Sequence, residues 1–206
     1  MKVIVGTSEV QVVYNLHESL LQEKSEFFRA ALGGEWMEAA MKEVHLREEK
    51  ILAFDWFVEW IYLGDLKLQD AGVDFIPVYV LADKLLCHDL KNRAIDMLQQ
   101  YYLTTAIAFK HITIVTEKGL TDSKLMEYLL TQLAYEVSRH YDDMTKDDGW
   151  LDLLASDAEV TKRLIDKLTY YVKSNNAGDP AETEGCLWHE HGHSPARPCQ
   201  RQGKHA

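Results

Sequence analysis

The run Ile51 to Leu63 is apolar nearly all the way round a helix, with only Asp55 and Glu59, four residues apart, forming a polar stripe. A helix with so little polar surface has to lie deep in a core. Gly64 follows it and is suited to the left-handed conformation that ends a helix. The rest of the chain must cover this segment, and its 206 residues are enough to do so.

The covering elements are legible on both sides. Val3 to Val5 and Val10 to Tyr14 are β-branched runs around Gly6-Thr7-Ser8-Glu9 and predict a hairpin. Two short helices are expected over His17 to Gln22 and Ser25 to Leu32, the second burying Phe28, Ala31 and Leu32 and stopped by Gly33-Gly34. Glu43 to Glu48 alternates, with Val44 and Leu46 on one face of a half-buried strand, and Leu66-Lys67-Leu68 is a candidate edge strand. Residues 74 to 87 predict an amphipathic helix that breaks at His88-Asp89. Leu90, Ala94, Met97, Leu98 and Tyr101 predict the next one.

Beyond residue 104 the spacing stays helical. Met126, Leu129, Leu130, Leu133, Ala134 and Val137 share one face, as do Val160, Leu164, Ile165, Leu168, Tyr171 and Val172. Ser156-x-x-Glu159 has the form of a capping box at the start of the last helix. From Ser174 the chain is polar and aperiodic and is expected to be disordered. The expected organisation is an α+β, helix-dominated core over 1–103, a helical extension over 104–173 and a Cys/His-containing tail over 174–206.

The charge balance, 33 acidic against 22 basic side chains and a net of -11, repels phosphate backbones and argues against nucleic acid as a partner. Three cysteines, Cys87, Cys186 and Cys199, are too few and odd in number for a disulfide framework and suit a reducing compartment. The start, MKVIVGTSEV, has neither the long apolar run nor the small-residue site of a secretory signal. No stretch approaches the roughly 18 apolar residues of a membrane span. Cytoplasm or nucleus is the expected location, with no membrane partner.

Few residues invite a catalytic reading. His189-Glu190-His191-Gly192-His193 spells H-E-x-x-H, but a zinc peptidase needs that run on a helix, and here Gly192 lies inside it and Pro195 follows. Cys186, His189, His191, His193, Cys199 and His205 form a donor set for a metal only at the entropic cost of closing a flexible tail, so no metal and no cofactor are expected. Cys87 and His88 point about 100° apart on a helix, which makes Cys87 a buried structural thiol. Asp142-Asp143 and Asp147-Asp148 are expected in a solvated loop, and Tyr101-Tyr102 and Tyr170-Tyr171 in helix packing. No phosphate-cradling glycine loop or nucleophile elbow is present. The expected protein is not an enzyme.

Five pieces, taken in order, resemble the BTB/POZ family. They are Asn15-Leu16-His17-Glu18-Ser19-Leu20-Leu21 with Ser25-Glu26-Phe27-Phe28-Arg29-Ala30-Ala31-Leu32, then Glu35-Trp36-Met37-Glu38, then the strand Glu43-Val44-His45-Leu46. Phe54 to Tyr62 with Gly64 is similar to the central helix of fungal-type members, and Leu81-Ala82-Asp83-Lys84-Leu85 to the helix after it. The resemblance covers about residues 3 to 103 and continues more weakly through Trp150-Leu151 and the last helix.

It implies a small sheet with helical hairpins, protein partners, homodimerisation or hetero-association, and in many members adaptor work for a cullin-RING ubiquitin ligase. An apolar-x-Glu motif docks the cullin scaffold in that family, and Trp36-Met37-Glu38 matches it. Trp36 also fits a plainer role, capping the core beneath Gly33-Gly34. Leu85 stands where cullin-binding members often carry tyrosine, and Glu18 where a basic residue is usual. The family's aspartate before the first strand, and its exchanged N-terminal element, have no counterpart ahead of Met1. An oligomerising scaffold with no cullin partner is the alternative reading, and a metal-dependent protein using the tail a remote one.

Overall fold

The computed structural model describes residues 1–34, 40–66, 74–174 and 177–191. These form ten helices and one three-stranded sheet, a helix-dominated α+β architecture as the sequence predicts. The chain divides into two compact units, Met1–Met97 and Leu98–Ala206.

In the first unit, β1 (Lys2–Gly6) lies between β2 (Gln11–Asn15), which is antiparallel to it, and β3 (Glu43–Arg47), which is parallel. The expected hairpin is therefore present. Gly6 is required at its turn: its φ is +119°, and a Cβ there would stand 2.2 Å from the Val10 carbonyl oxygen. A parallel partner needs a crossover, and α1 (Glu18–Lys24) and α2 (Glu26–Gly33) lie in it. Alternation places Val3, Val5, Val44 and Leu46 on the buried face of the sheet.

Helix α3 (Ile51–Leu63) ends at Gly64, which has φ +74° and whose N–H bonds the Trp60 carbonyl, as expected. It fills the core with Ala53, Phe54, Phe57, Trp60 and Ile61. The expectation that it is buried all round fails on its outer side. Leu52 and Leu63 are each 64% exposed and Tyr62 is 45% exposed. The helix packs through one face only, and the run of apolar letters does not distinguish that face from its opposite.

Helix α4 (Ile76–Lys84) is shorter than the 74–87 helix expected. The chain turns at Leu85, Leu86 takes φ +52°, and α5 (His88–Tyr102) begins at the residue where a break was expected. Leu66 is buried and lies in no strand, while Lys67 and Leu68 of the candidate edge strand fall outside the described residues.

In the second unit, α7 (Lys124–Arg139) is central, preceded by α6 (Phe109–Glu117) and followed by α8 (Tyr141–Met144), α9 (Asp148–Ser156) and α10 (Ala158–Lys173). Its expected face, Met126, Leu129, Leu130, Leu133, Ala134 and Val137, is buried. Helix α10 packs against it with Val160 and Leu164, but Ile165 and Val172 are exposed. The side of α10 toward α7 uses the half-buried Tyr171, as the pattern predicts, and Lys167 in place of Ile165 and Val172.

The expected capping box is also displaced. Asp157 is the N-cap, accepting the Val160 N–H at 2.9 Å, and the Ser156 hydroxyl donates instead to the Leu153 carbonyl. Aspartate caps as well as serine, so a motif one residue upstream misplaces the start. The disorder expected from Ser174 is not what the structure shows over 177–191, where a 3-10 turn at Pro180–Glu182 and the buried residues Pro180, Ala181, Trp188 and His189 give this stretch enough buried surface to pack.

Candidate interaction surface

The motif helices of the first unit are fixed by one buried hydroxyl. Ser25, with no exposed surface, ends α1 and caps α2. Its Oγ accepts the Phe28 N–H at 3.1 Å and donates to the Leu85 carbonyl at 2.7 Å, joining residues sixty positions apart. The same carbonyl accepts the Phe27 N–H at 3.4 Å. Phe28 is then held against Phe57, with ring centroids 6.1 Å apart, and Phe57 against Phe54 at 5.2 Å. A serine placed here is a cap and a cross-link at once.

The second tie runs from β2 to α3. Tyr14 packs its ring 4.8 Å from Phe54 and donates its hydroxyl to Asp55 at 2.6 Å. Burial and the neighbouring Asp55 carboxylate both raise the Tyr14 phenol above its ordinary range, which keeps it a donor. One helical turn and three residues further, the Tyr62 hydroxyl meets His17 Nδ1 at 2.8 Å. The family-like histidine is thus tied to the last turn of α3.

Trp36, Met37 and Glu38, the expected partner-binding residues, lie outside the described residues. The residues either side of that segment are described, and Gly33, Gly34, Ala40, Met41 and Lys42 are all exposed. Lys42, with φ +53°, turns the chain into β3 and reaches back to Glu18 at 2.7 Å. The two departures from the family pattern thus have local uses. Glu18 anchors the approach to β3, and Leu85 is fully buried with its carbonyl taken by Ser25.

The remaining chemical candidates separate in space. Cys87 is 1% exposed, burial pushes its thiol up to about 12, and His88 beside it is exposed. Cys186 is half-buried, and the His189 and His191 rings are 6.2 Å apart in a stretch that is not helical. His193, Cys199 and His205 lie outside the described residues. Among the described residues no group of three or more His, Cys, Asp or Glu side chains is set to hold a metal ion. Asp142 and Asp143 are exposed in the short α8, not in a loop, and Asp147 caps α9 by accepting the Gly149 N–H. No helix among the described residues is long and apolar enough to cross a membrane.

Taken together, Ser25, Tyr14 and His17 tie the strands and motif helices of the first unit to one another. The family model for the BTB/POZ domain matches residues 3–102, and this chain carries a BTB/POZ domain there. Domains of this kind are protein–protein interaction modules and generally not enzymes. No curated protein matches the chain significantly.

Sequence reasoning missed the Ser25–Leu85 bond, the Tyr14–Asp55 and His17–Tyr62 pairs, and the buried polar set of the second unit. That set includes the Tyr102 hydroxyl on His111 Nδ1 at 2.5 Å and Glu136, whose Oε2 accepts the Ile107 N–H at 2.9 Å. All of these pair residues from different elements. The one local signal was a serine before an acidic-apolar run, which marks a cap but not its second bond.

Proposed function

We propose that this protein is a non-catalytic interaction protein of the fungal-type BTB/POZ arrangement that docks a cullin scaffold through Trp36, Met37 and Glu38 and serves as a ubiquitin-ligase substrate adaptor in the cytoplasm or nucleus. The match of residues 3–102 to the BTB/POZ domain carries this reading. It is supported by the exposure of Gly34 and of Ala40 to Lys42, which border the motif on both sides. An aromatic anchor beside one carboxylate suits docking, because the buried ring supplies most of the interface energy and the charge fixes register. In this reading the helical extension after the domain carries the surface that recruits a substrate.

A purified cullin N-terminal domain tests the proposal directly. The wild-type chain is expected to be retained, and Trp36→Ala to lose at least about tenfold in affinity, as truncated hot-spot aromatics do. Absence of wild-type binding removes the adaptor role and leaves the oligomerising scaffold. That second reading has its own support in Val10 and Val13, 60% and 49% exposed near the open edge strand β2. Light scattering on the same preparation reports it as a mass above 23.7 kDa.

A further inference from the structure

The two outer strands of the sheet are built differently. At one side, β3 carries Glu43, His45 and Arg47 on the face opposite its buried Val44 and Leu46. Charged side chains on an outer strand are a common means of keeping it from pairing further. At the other side, β2 runs Gln11-Val12-Val13-Tyr14-Asn15, with no charge and no proline. It lacks the protection that β3 has.

The free side of β2 follows from its bonds to β1. Met1 and Leu16 exchange both main-chain bonds, at 2.7 and 2.9 Å, and so form a hydrogen-bonded pair of the antiparallel ladder. Such pairs alternate along the register, which makes Val3–Tyr14 and Val5–Val12 the next two. Gln11, Val13 and Asn15 therefore turn their N–H and C=O groups away from β1. Among the described residues no strand pairs with β2 on that side. Side chains alternate too, with Val12 and Tyr14 half-buried and Val13 49% exposed. The result is a row of main-chain donors and acceptors with an apolar side chain at its centre.

An open edge of this kind takes an extended chain, whose own main chain supplies the matching groups. Acidic side chains flank it. Glu9 is exposed two residues before β2, and the exposed Asp55 accepts the Tyr14 hydroxyl toward the other end. Neither forms an ion pair among the described residues. A second copy of the chain would bring the same acids and its own net charge of -11, so like charge favours a foreign segment over a copy. We propose that the free edge of β2 docks an extended segment of another protein, with β-branched residues beside Val13 and basic residues about five positions apart that reach Glu9 and Asp55. The segment joins the three-stranded sheet as a fourth strand next to β2. The site does not depend on a cullin role for Trp36-Met37-Glu38.

The probe is a fluorescein-labelled peptide of alternating valine and threonine with a lysine at each end, titrated into the full chain. It is expected to bind at least about tenfold more tightly than the same peptide ending in glutamates, and Glu9→Gln with Asp55→Asn to erase that preference. Absent binding, or equal binding of the two peptides, overturns the proposal. Hydrogen exchange locates the contact without any substitution. In the free chain the Gln11, Val13 and Asn15 amides are expected to exchange at least about tenfold faster than those of Val12 and Tyr14, and the lysine peptide to remove the difference. Binding that leaves those three amides fast is charge attraction alone and overturns the proposal. Slow amides in the free chain overturn it as well, and light scattering then tells whether a second copy holds the edge. Val13→Pro removes one outward N–H at a position where an outer strand tolerates proline, and is expected to cost at least about tenfold in affinity. Unchanged affinity in that variant overturns the proposal, and the exchange measurement stands if the variant fails to fold.

Discussion

Around α3 in the first unit the core is built from rings: Phe28, Phe54, Phe57, Trp60 and Phe75 are buried together with the sheet's valines. Around α7 in the second unit it is built from leucines and methionine, and buried polar groups share the space, among them Gln99, His111, Gln132, Glu136 and His189. The first unit uses its buried Ser25 for two bonds and pairs Lys91 with Asp83 at 2.6 Å. Among the described residues, half-buried Trp56 and Glu59 hold polar atoms without hydrogen-bond partners in the first unit, and buried Gln99, Gln132 and Trp188 do in the second. Satisfied buried polar groups rigidify a core, and unsatisfied ones are a standing cost to it. The first unit carries that cost on half-buried side chains of α3 and the second unit in its core.

The largest effects test the cores themselves. Phe57→Ala is expected to cost about 3–5 kcal/mol, because it empties the centre of the ring cluster, and Leu133→Ala about 2–4 kcal/mol. Urea unfolding of both variants compares them, and a larger loss for Leu133→Ala reverses the ranking of the two cores. Next in size is the Ser25 latch. Ser25→Ala is expected to cost about 1–2 kcal/mol, against about 0.5–1 kcal/mol for Asp157→Ala, a cap with no second bond to another element. Equal losses would mean that the bond to Leu85 adds nothing to the cap.

The first unit was the more legible of the two, for a physical reason. Its hairpin, β3, α2 and α3 are set by short-range alternation, helical period and glycines, and those patterns survive in the letters. Burial of α3 was overstated because an apolar letter says that a side chain tolerates the core, not that a partner exists to cover it. The Leu52 and Leu63 side chains meet solvent all the same. In the second unit the α7 face was readable, but Asp157 took the cap from Ser156, and Trp188 drew a polar segment back onto Tyr128. One buried tryptophan in a stretch of Gly, Glu and Thr leaves no period to detect. The candidate site was legible only as a motif: Trp36-Met37-Glu38 stands out by resemblance and lies outside the described residues, while the ties of the first unit, Ser25 to Leu85 and Lys42 to Glu18, depend on chain crossings no local window contains.

Acid sharpens the contrast within α7, where two glutamates titrate in opposite senses. Burial raises the Glu136 carboxyl above its ordinary value, against the bonds it accepts from Gln132 and the Ile107 N–H. The folded state then holds the Glu136 proton more tightly than the unfolded chain. The stability it contributes is complete below the unfolded value, about 4.3, and is lost as pH rises through the folded one. Burial also works against Glu127, but Lys167 and Arg163 outweigh it and hold the carboxyl below its ordinary value. Its contribution is present above the unfolded value and disappears as pH falls through the folded one. With 40% of the Glu127 side chain open to solvent, that ion pair is worth about 0.5–1 kcal/mol. Thermal melts from pH 3 to 8 are expected to show Glu127→Gln losing stability relative to wild type at neutral pH and Glu136→Gln losing it only toward acid. Parallel curves for the two variants would show that the buried carboxylate of the second unit is not strained.

Backbone strain divides the units in the reverse direction and gives the smallest effect. Among the described residues, left-handed conformations in the second unit fall on Gly119 and Gly185, but in the first they include Lys42, Glu48 and Leu86. Leu86, with φ +52°, sits between fully buried Leu85 and Cys87, and its own side chain is 49% exposed. An L-residue held there costs about 1–2 kcal/mol, and glycine would relieve that while adding about 0.5–1 kcal/mol of unfolded-chain entropy. Leu86→Gly is therefore expected to leave the unfolding midpoint unchanged or raise stability by up to about 1 kcal/mol. A loss of that size would instead mean that the exposed leucine packs at the α4–α5 turn. If stability holds while affinity for a protein partner drops, the strain is kept for the side chain that Leu86 presents.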